Sequence, residues 1–311
     1  MPLGNHEASY EEEFKNGYLA VSGQKDARFL SAVTLEDFRG DKGYFSKIKE
    51  ISDPVAVTSR NSDTQNDEIE FETRKINKVL YRKSILLDHN DDIRRHTDPS
   101  GDTLRELVAA HNKKIDEVIV AAAEGTAYGW QDNSLISVPS YDFDADNVVP
   151  ANYTNAAPTG SGANTNLTVE KLLRVKKLMG DNEIPDMEDG IFVFVPPSAE
   201  QSLLNQDKYI NLDYGSGNLK GAMLAPKFGM TFIRTNRLTT DSSAIADCLV
   251  MTKSAVKVCL NRVNRIRVGE RDDKNYSNQI FTEMLVGATR MYEDRIYKVR
   301  VNDAVVTAAG A

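Results

Sequence analysis

Cysteine is nearly absent from this 311-residue chain. Cys248 and Cys259 stand eleven positions apart, a spacing that fits neither a zinc ligand set nor a redox pair. They read as free thiols of a reducing compartment. Long apolar runs are missing too: no stretch approaches eighteen apolar residues, so no membrane-spanning helix is expected. The opening MPLGNHEASYEEEF is acidic and has neither the basic start nor the apolar run of a signal peptide, so cytosolic synthesis as a soluble protein is expected. No block of five or more basic residues occurs, and 46 acidic against 38 basic residues give a formal charge of -8. That balance disfavours a dedicated nucleic-acid surface, which needs clustered Lys and Arg.

The apparatus of an enzyme is missing as well. DHNDD from Asp88 and YDFDADN from Tyr141 match the first three ligand positions of a calcium loop. Both lack the glycine at position six and the glutamate at position twelve, where Pro99 and Tyr153 stand instead. His6, His89, His96 and His111 form no HExxH pair and none lies in a nucleophile elbow. YGSGNLKG around Gly215 lacks the Lys-Ser/Thr ending of a phosphate loop and reads as turns. Asp116 and Glu117 are consecutive on a helix and do not face each other as a glycosidase pair must. Arg262, Arg265, Arg267 and Arg271 have Glu270, Asp272 and Asp273 close by, which suits intersubunit ion pairs better than a nucleic-acid groove. No catalytic, cofactor-binding or metal-binding residue is therefore assigned.

What is present is enough apolar material for a real core, 41% of the chain, in one large domain or two modest ones. The first 25 or so residues are too polar to pack as a unit and read as a tail or an arm ordered by a neighbour. In residues 26–38, Phe29, Leu30, Val33 and Phe38 suggest a short helical face. VAVTS and EIEFETRKINKVLYRKS read as two strands around the turn RNSDTQND. Such a polar hairpin has little core of its own and must lie on the body or reach a partner.

Residues 103–127 carry the clearest helix, capped by Asp102 or Thr103, with Leu104, Leu107, Val108, Ile115, Val118, Ile119, Ala122 and Ala123 at helical spacing. The stretch 134–165 reads as strand fragments and loops, with PTGSGANTN exposed. A second helix begins at an Asn166 or Thr168 cap and runs to Gly180, burying Leu172, Val175, Leu178 and Met179. GIFVFVPP then reads as a buried strand, SAEQSLLN as a helix opened by Ser198, and MTFIRTNRL as a further strand. CLVMTKSAVKVCLNRV repeats the strand pattern, and IFTEMLVGATRMYEDRIYKVRV reads as strand, turn and strand.

Taken in order, several strings resemble one family. They are QKDARFLSAV from Gln24, FRGDKGYFSKIKEI, TRKINKVLYRKSILLDHNDDIRRHTDPSGD, and the long helix with Asp116 and the small residues Ala121 to Gly125. LTVEKLLRVKKLM, the Pro185 turn, IFVFVPPSAEQSLLN, LKGAMLAPKFGMTFIRTNRL and ERDDKNYSNQIFTEMLVGATRMYEDRIYKV follow. The family is the major capsid proteins of tailed bacteriophages with the HK97 fold, in the branch of short-tailed and related phages. Each string is degenerate, and their order and spacing carry the resemblance. His89 and Asn90 depart from it, standing where the usual string has a lysine or glutamate.

The resemblance implies an α+β capsid fold. Residues 1–45 would be an N-terminal arm on a neighbour, 46–85 an extended loop over the next subunit, and 86–165 a peripheral domain with spine helix 103–127. Residues 166–265 would be an axial domain, and 266–311 would return to the peripheral domain. It also implies a non-enzymatic protein that self-assembles, as pentamers and hexamers, into an icosahedral shell. The shell would enclose double-stranded DNA through non-specific contacts, with a scaffolding protein, a portal and an expanding procapsid. Some relatives crosslink through a lysine and an asparagine; Lys78 or Lys83 would be the candidates, and no crosslink is expected. The competing readings are an encapsulin-like compartment, a soluble α/β enzyme and a small dimeric binding protein.

Overall fold

The computed structural model describes residues 26–56, 59–60, 66–87, 100–130, 139–157, 159–160, 162–184, 190–206 and 228–304, without the side chains of 100–102 and 262–265. The elements are mixed α+β, with strands dominant. Contacts divide the chain into two compact units. One contains residues 1–26, 80–113 and 262–284, and the other contains 27–79, 114–261 and 285–311.

A single 3-10 turn, Phe29–Ala32, opens the described chain and buries Phe29 and Ala32. The Phe29 ring stacks on Phe194 with centroids 3.8 Å apart. The turn has no capping side chain of its own. Instead, the backbone N–H groups of Arg28 and Phe29 both donate to the buried carboxylate of Asp116, at 3.1 Å each. An acid inside a helix thus caps the start of another segment, satisfying donors that a turn of this kind leaves open.

Short strand β1 (Thr34–Leu35) leads to β2 (Lys42–Ile48), which pairs antiparallel with β3 (Phe71–Asn77) from Lys42↔Asn77 to Ile48↔Phe71. The expected hairpin had VAVTS as its first strand; the structure uses KGYFSKI. Val55 has no strand partner and is 71% exposed, and residues 57–58 lie outside the described set. Burial decides the register here: β3 buries Arg74 and Ile76, whereas Val55 and Ala56 are exposed. β4 (Val79–Leu87) follows at once.

Helix α1 (Ser100–Glu124) starts earlier than the expected residue 103 and stops earlier than 127, so Asp102 and Thr103 lie within it and do not cap it. Leu107, His111, Ile115, Ile119 and Ala123 form its buried stripe, one residue per turn. Its length is roughly 37 Å at 1.5 Å per residue. Gly125 ends it, donating its N–H to Ala121 at 2.9 Å; a Cβ there would lie 2.6 Å from the Ala121 carbonyl oxygen.

β5 (Ala127–Tyr128), β6 (Ser140–Tyr141) and β7 (Val148–Val149) occupy the loop-rich stretch. Helix α2 (Val169–Asp181) is capped by Thr168, whose hydroxyl accepts from the Lys171 amide at 3.3 Å. β8 (Ile191–Val195) and helix α3 (Pro197–Leu204) come next, with α3 opening on Pro197 where Ser198 was expected. Proline suits a first helical position because its missing N–H would have no partner there. The last strands are β9 (Met230–Arg234), β10 (Ile245–Thr252), β11 (Val256–Arg271), β12 (Ser277–Arg290) and β13 (Ile296–Asn302).

The strands form a five-stranded sheet in the order β7-β13-β10-β8-β9, a four-stranded sheet β1-β11-β12-β4, and the pairs β2-β3 and β5-β6. In the five-stranded sheet Val193, Val250 and Val299 meet Leu172, Val175 and Met179 of α2 and Leu203 of α3 in one buried cluster. β13 is an interior strand of this sheet, so the chain's last described strand sits with elements from residues 148–252. Gly287 of β12 lets the junction of β3 and β4 approach closely: a Cβ there would overlap the Asn77 carbonyl oxygen and lie 2.9 Å from Ile76.

The segment PTGSGANTN was expected to be exposed throughout, yet Asn166 at its end is fully buried. The cause is Lys171, also fully buried, whose ammonium donates to the carbonyls of Ala151 (2.9 Å), Thr165 (2.9 Å), Asn166 (3.0 Å) and Arg300 (3.2 Å). Burial pulls its pKa from 10.5 down to about 8, with Cys248 acting in the opposite direction. The unfolded chain therefore holds this proton more tightly than the folded one. Between about pH 8 and pH 10.5 this group adds stability as pH rises. Denaturant unfolding of the unassembled protein should show the midpoint of wild type rising relative to Lys171→Met across that interval. Parallel pH profiles for the two would contradict the assignment.

Candidate functional site

The residues that sequence reading considered for chemistry are employed structurally wherever the structure describes them. His111 is buried and shares a 2.7 Å hydrogen bond with the Thr282 hydroxyl; burial, and then the charge of Lys83, lower its pKa. Asp116 caps the Phe29 turn, and Glu117 pairs with Lys114 at 2.9 Å and Arg237 at 3.4 Å. Of the YDFDADN string, Asp142 accepts from Thr126 at 2.7 Å and Asp144 from the Asp146 amide at 2.9 Å. No group of three metal-ligating side chains occurs among the described residues. His6, His89, His96, the DHNDD string and the glycines around Gly215 lie outside them. In the basic cluster Arg271 pairs with Asp273 two positions away, within one chain. Lys78 is buried, bonded to the Phe38 carbonyl and placed 3.7 Å over the Phe38 ring. Among the described residues no helix is long and apolar enough to cross a membrane.

The feature that stands out is the base of the β2-β3 hairpin. Arg74 is fully buried, and its Nη2 lies 2.7 Å from both Glu72 and Glu293. Its guanidinium lies 3.2 Å over the Tyr141 ring, while Nε and Nη1 have no hydrogen-bond acceptor among the described residues. Lys47, opposite Glu72 in the strand pair, reaches Glu72 at 3.0 Å and Glu293 at 3.5 Å. Arg290, also fully buried, lies 3.6 Å from Glu293. It donates to the carbonyls of Ala123 (2.9 Å), Gly125 (2.8 Å) and Tyr141 (2.8 Å). One connected set of charges thus caps the C-terminus of α1 and clamps both hairpin strands. Sequence gave no signal for it, because its members are scattered from Lys47 to Glu293.

Burial by itself would raise the pKa of Glu72. The Lys47 hydrogen bond, the charges of Arg74 and Lys47 and the Tyr141 hydrogen bond outweigh that and lower it. The contribution of Glu72 is complete above the ordinary Glu range and is lost as pH falls through the lowered value. Burial of Arg290 lowers its pKa, with Glu293 opposing.

Beyond this anchored base the hairpin is bare. Ile48 and Phe71 close its last strand pair and are 59% and 65% exposed, and Ile51, Val55 and Ile69 beyond them are also exposed. Five large apolar side chains of this element are thus exposed together.

A family model described as phage capsid protein matches residues 7–303. The chain belongs to the phage capsid protein family. Its fold is the HK97-type capsid fold, and its work is to form the phage head. The capsid structure of cyanophage P-SCSP1u aligns with a TM-score of 0.67 and 14% identity over 95% of this chain and 94% of that one. The capsid of Ralstonia phage GP4 aligns at 0.62 and 14% over 95% and 97%. The capsid of cyanophage Pam1 aligns at 0.64 and 12% over 97% and 98%. No curated protein matches the chain.

In this capsid protein the hairpin clamp is a stability element that can be tested by itself. Glu293→Gln keeps the shape and removes one of two carboxylates facing three cations. It should cost about 2–3 kcal/mol in chemical unfolding of the unassembled protein. Glu70→Gln, in an exposed pair with Lys49, should leave the unfolding midpoint close to that of wild type. Equal costs would show that the clamp is no stronger than a surface ion pair.

Proposed function

We propose that this protein is the major capsid protein of a tailed phage, assembling as pentamers and hexamers into an icosahedral shell around double-stranded DNA. The observation that carries this beyond family membership is the hairpin. Its base is clamped by buried charge, and its distal part presents apolar side chains that its own chain does not cover. A lone subunit gains nothing from such an element, while a subunit in a shell covers it with a neighbour. Residues 1–45 are assigned to an arm lying on a neighbour, and the loop of 46–85 to an overlap with the next subunit.

The domain assignment follows the same reading. Residues 86–165, with the long helix, form the peripheral domain, and 166–265 supply most of the axial domain. Of 266–311, which return to the peripheral domain, β13 joins the five-stranded sheet. The protein is made in the host cytoplasm and resides in the virion capsid, with a scaffolding protein and a portal as assembly partners. DNA contact is non-specific, which agrees with a net charge of -8 and no basic block. The role is structural and not enzymatic. An encapsulin-like compartment and a soluble α/β enzyme are not favoured by the family match.

Negative-stain electron microscopy of the protein, expressed alone and with its genomic neighbours, tests this directly. Closed shells of several hundred ångströms are expected. A monodisperse particle of one to four subunits under every condition would contradict the proposal.

A further inference from the structure

The hairpin tip holds a pocket of about 350 Å³ between its two limbs, lined by Ile51, Ser52, Asp53, Pro54 and Val55 on one side and Asn66 and Asp67 on the other. The Ser52 hydroxyl donates to the Asp67 carboxylate, tying the limbs together. Two carboxylates and apolar walls in one small cavity suit a long cationic side chain, whose methylene stem takes the apolar wall and whose head takes the acids. The surroundings have the same sign: the described residues of 49–70 contain five acidic and two basic residues, a net charge of -3.

A surface of opposite character occurs on the same chain. β4 carries Arg82 and Lys83 and no acid. Strand alternation puts Leu80, Arg82 and Leu86 on one face. All three are exposed, and the Arg82 side chain retains 61% of its exposure despite a 3.6 Å approach to Glu283. Thr282, the residue before Glu283, faces the other way and bonds His111 of α1, so the Leu80-Arg82-Leu86 face is turned away from the helix. It presents an arginine between two leucines, as the tip presents Asp53 between Ile51 and Val55 with Asp67 on the other limb.

Resting on the capsid reading above, we infer that Arg82 of a second copy enters the Asp53/Asp67 pocket, with Leu80 and Leu86 covering the apolar side chains beside it. The occupant is a second copy because the complementary charge and apolar pattern are both present on this chain. Opposite charges that meet at a partly desolvated contact set its register and suppress wrong pairings.

Charge reversal and its compensation test the contact in the full-length protein. Asp53→Lys/Asp67→Lys should lower the yield of sedimenting shells by about tenfold or more, and adding Arg82→Glu should restore it to within about twofold. The thermal midpoint of the unassembled protein should fall only slightly, since all three positions are exposed although Asp67 bonds Ser52 and Arg82 approaches Glu283. In shells of Asp53→Cys/Arg82→Cys, oxidation should produce covalent oligomers on non-reducing gels, and this readout stands if the reversed variant folds poorly. Wild-type shells with no restoration by Arg82→Glu, or with no covalent oligomers, would overturn the contact and leave the capsid reading intact. Wild type that forms no shells would overturn both.

Discussion

A guanidinium with no exposure to water needs carboxylates to balance its charge, and at Arg74 that requirement, met at Nη2 by Glu72 and Glu293, ties the hairpin to the far end of the chain. Glu72 comes from the same strand and Glu293 from the turn between β12 and β13, 219 positions along the chain. The hairpin can therefore take its place only when the far end of the chain is folded beneath it. Arg290 extends the constraint to α1 by binding the carbonyls at the helix end. Two carboxylates facing Arg74, Lys47 and Arg290 leave the cluster with excess positive charge, so each acid stabilises more than one partner. Such a network contributes less net stability than an apolar core of equal size, but it fixes one angle and one register.

The five-stranded sheet works by different physics. Its core is largely aliphatic and closed by α2 and α3, and the fully buried ammonium of Lys171 is held by backbone carbonyls. Because backbone groups supply those contacts, the loop around residues 151–166 is tied to α2 and β13 without a conspicuous sequence signature. The contrast is instructive: an apolar core can be read from periodicity, whereas a carbonyl cage and a guanidinium clamp depend on distant backbone placement.

That contrast explains what the sequence revealed. The helix of 100–124 is legible because Leu107, Ile115, Ile119 and Ala123 recur with the helical period, and α2 because Thr168 caps an amphipathic run. β8, β9, β12 and β13 follow from short apolar and β-branched strings. The first hairpin strand was misplaced because VAVTS has the better β composition, while KGYFSKI has the partner. Arg74, Lys171 and Arg290 escaped notice because Arg and Lys are ordinarily at the surface, and nothing local announces that a chain segment will cover them. The family resemblance was carried by the order of many weak strings, and the match over residues 7–303 bears it out. The exposed apolar side chains of the hairpin were legible only as a hairpin with too little core.

On the proposed function, the hairpin is folded on its own subunit at the base and completed by a neighbour at the tip. Hydrogen exchange of the free subunit and of assembled shells, followed across residues 42–77, measures this most directly. The account predicts slow exchange in β2 and β3 in both states, and protection of residues 49–70 that appears only in shells. Equal protection of the tip in both states, or a base that exchanges freely in the subunit, would contradict it.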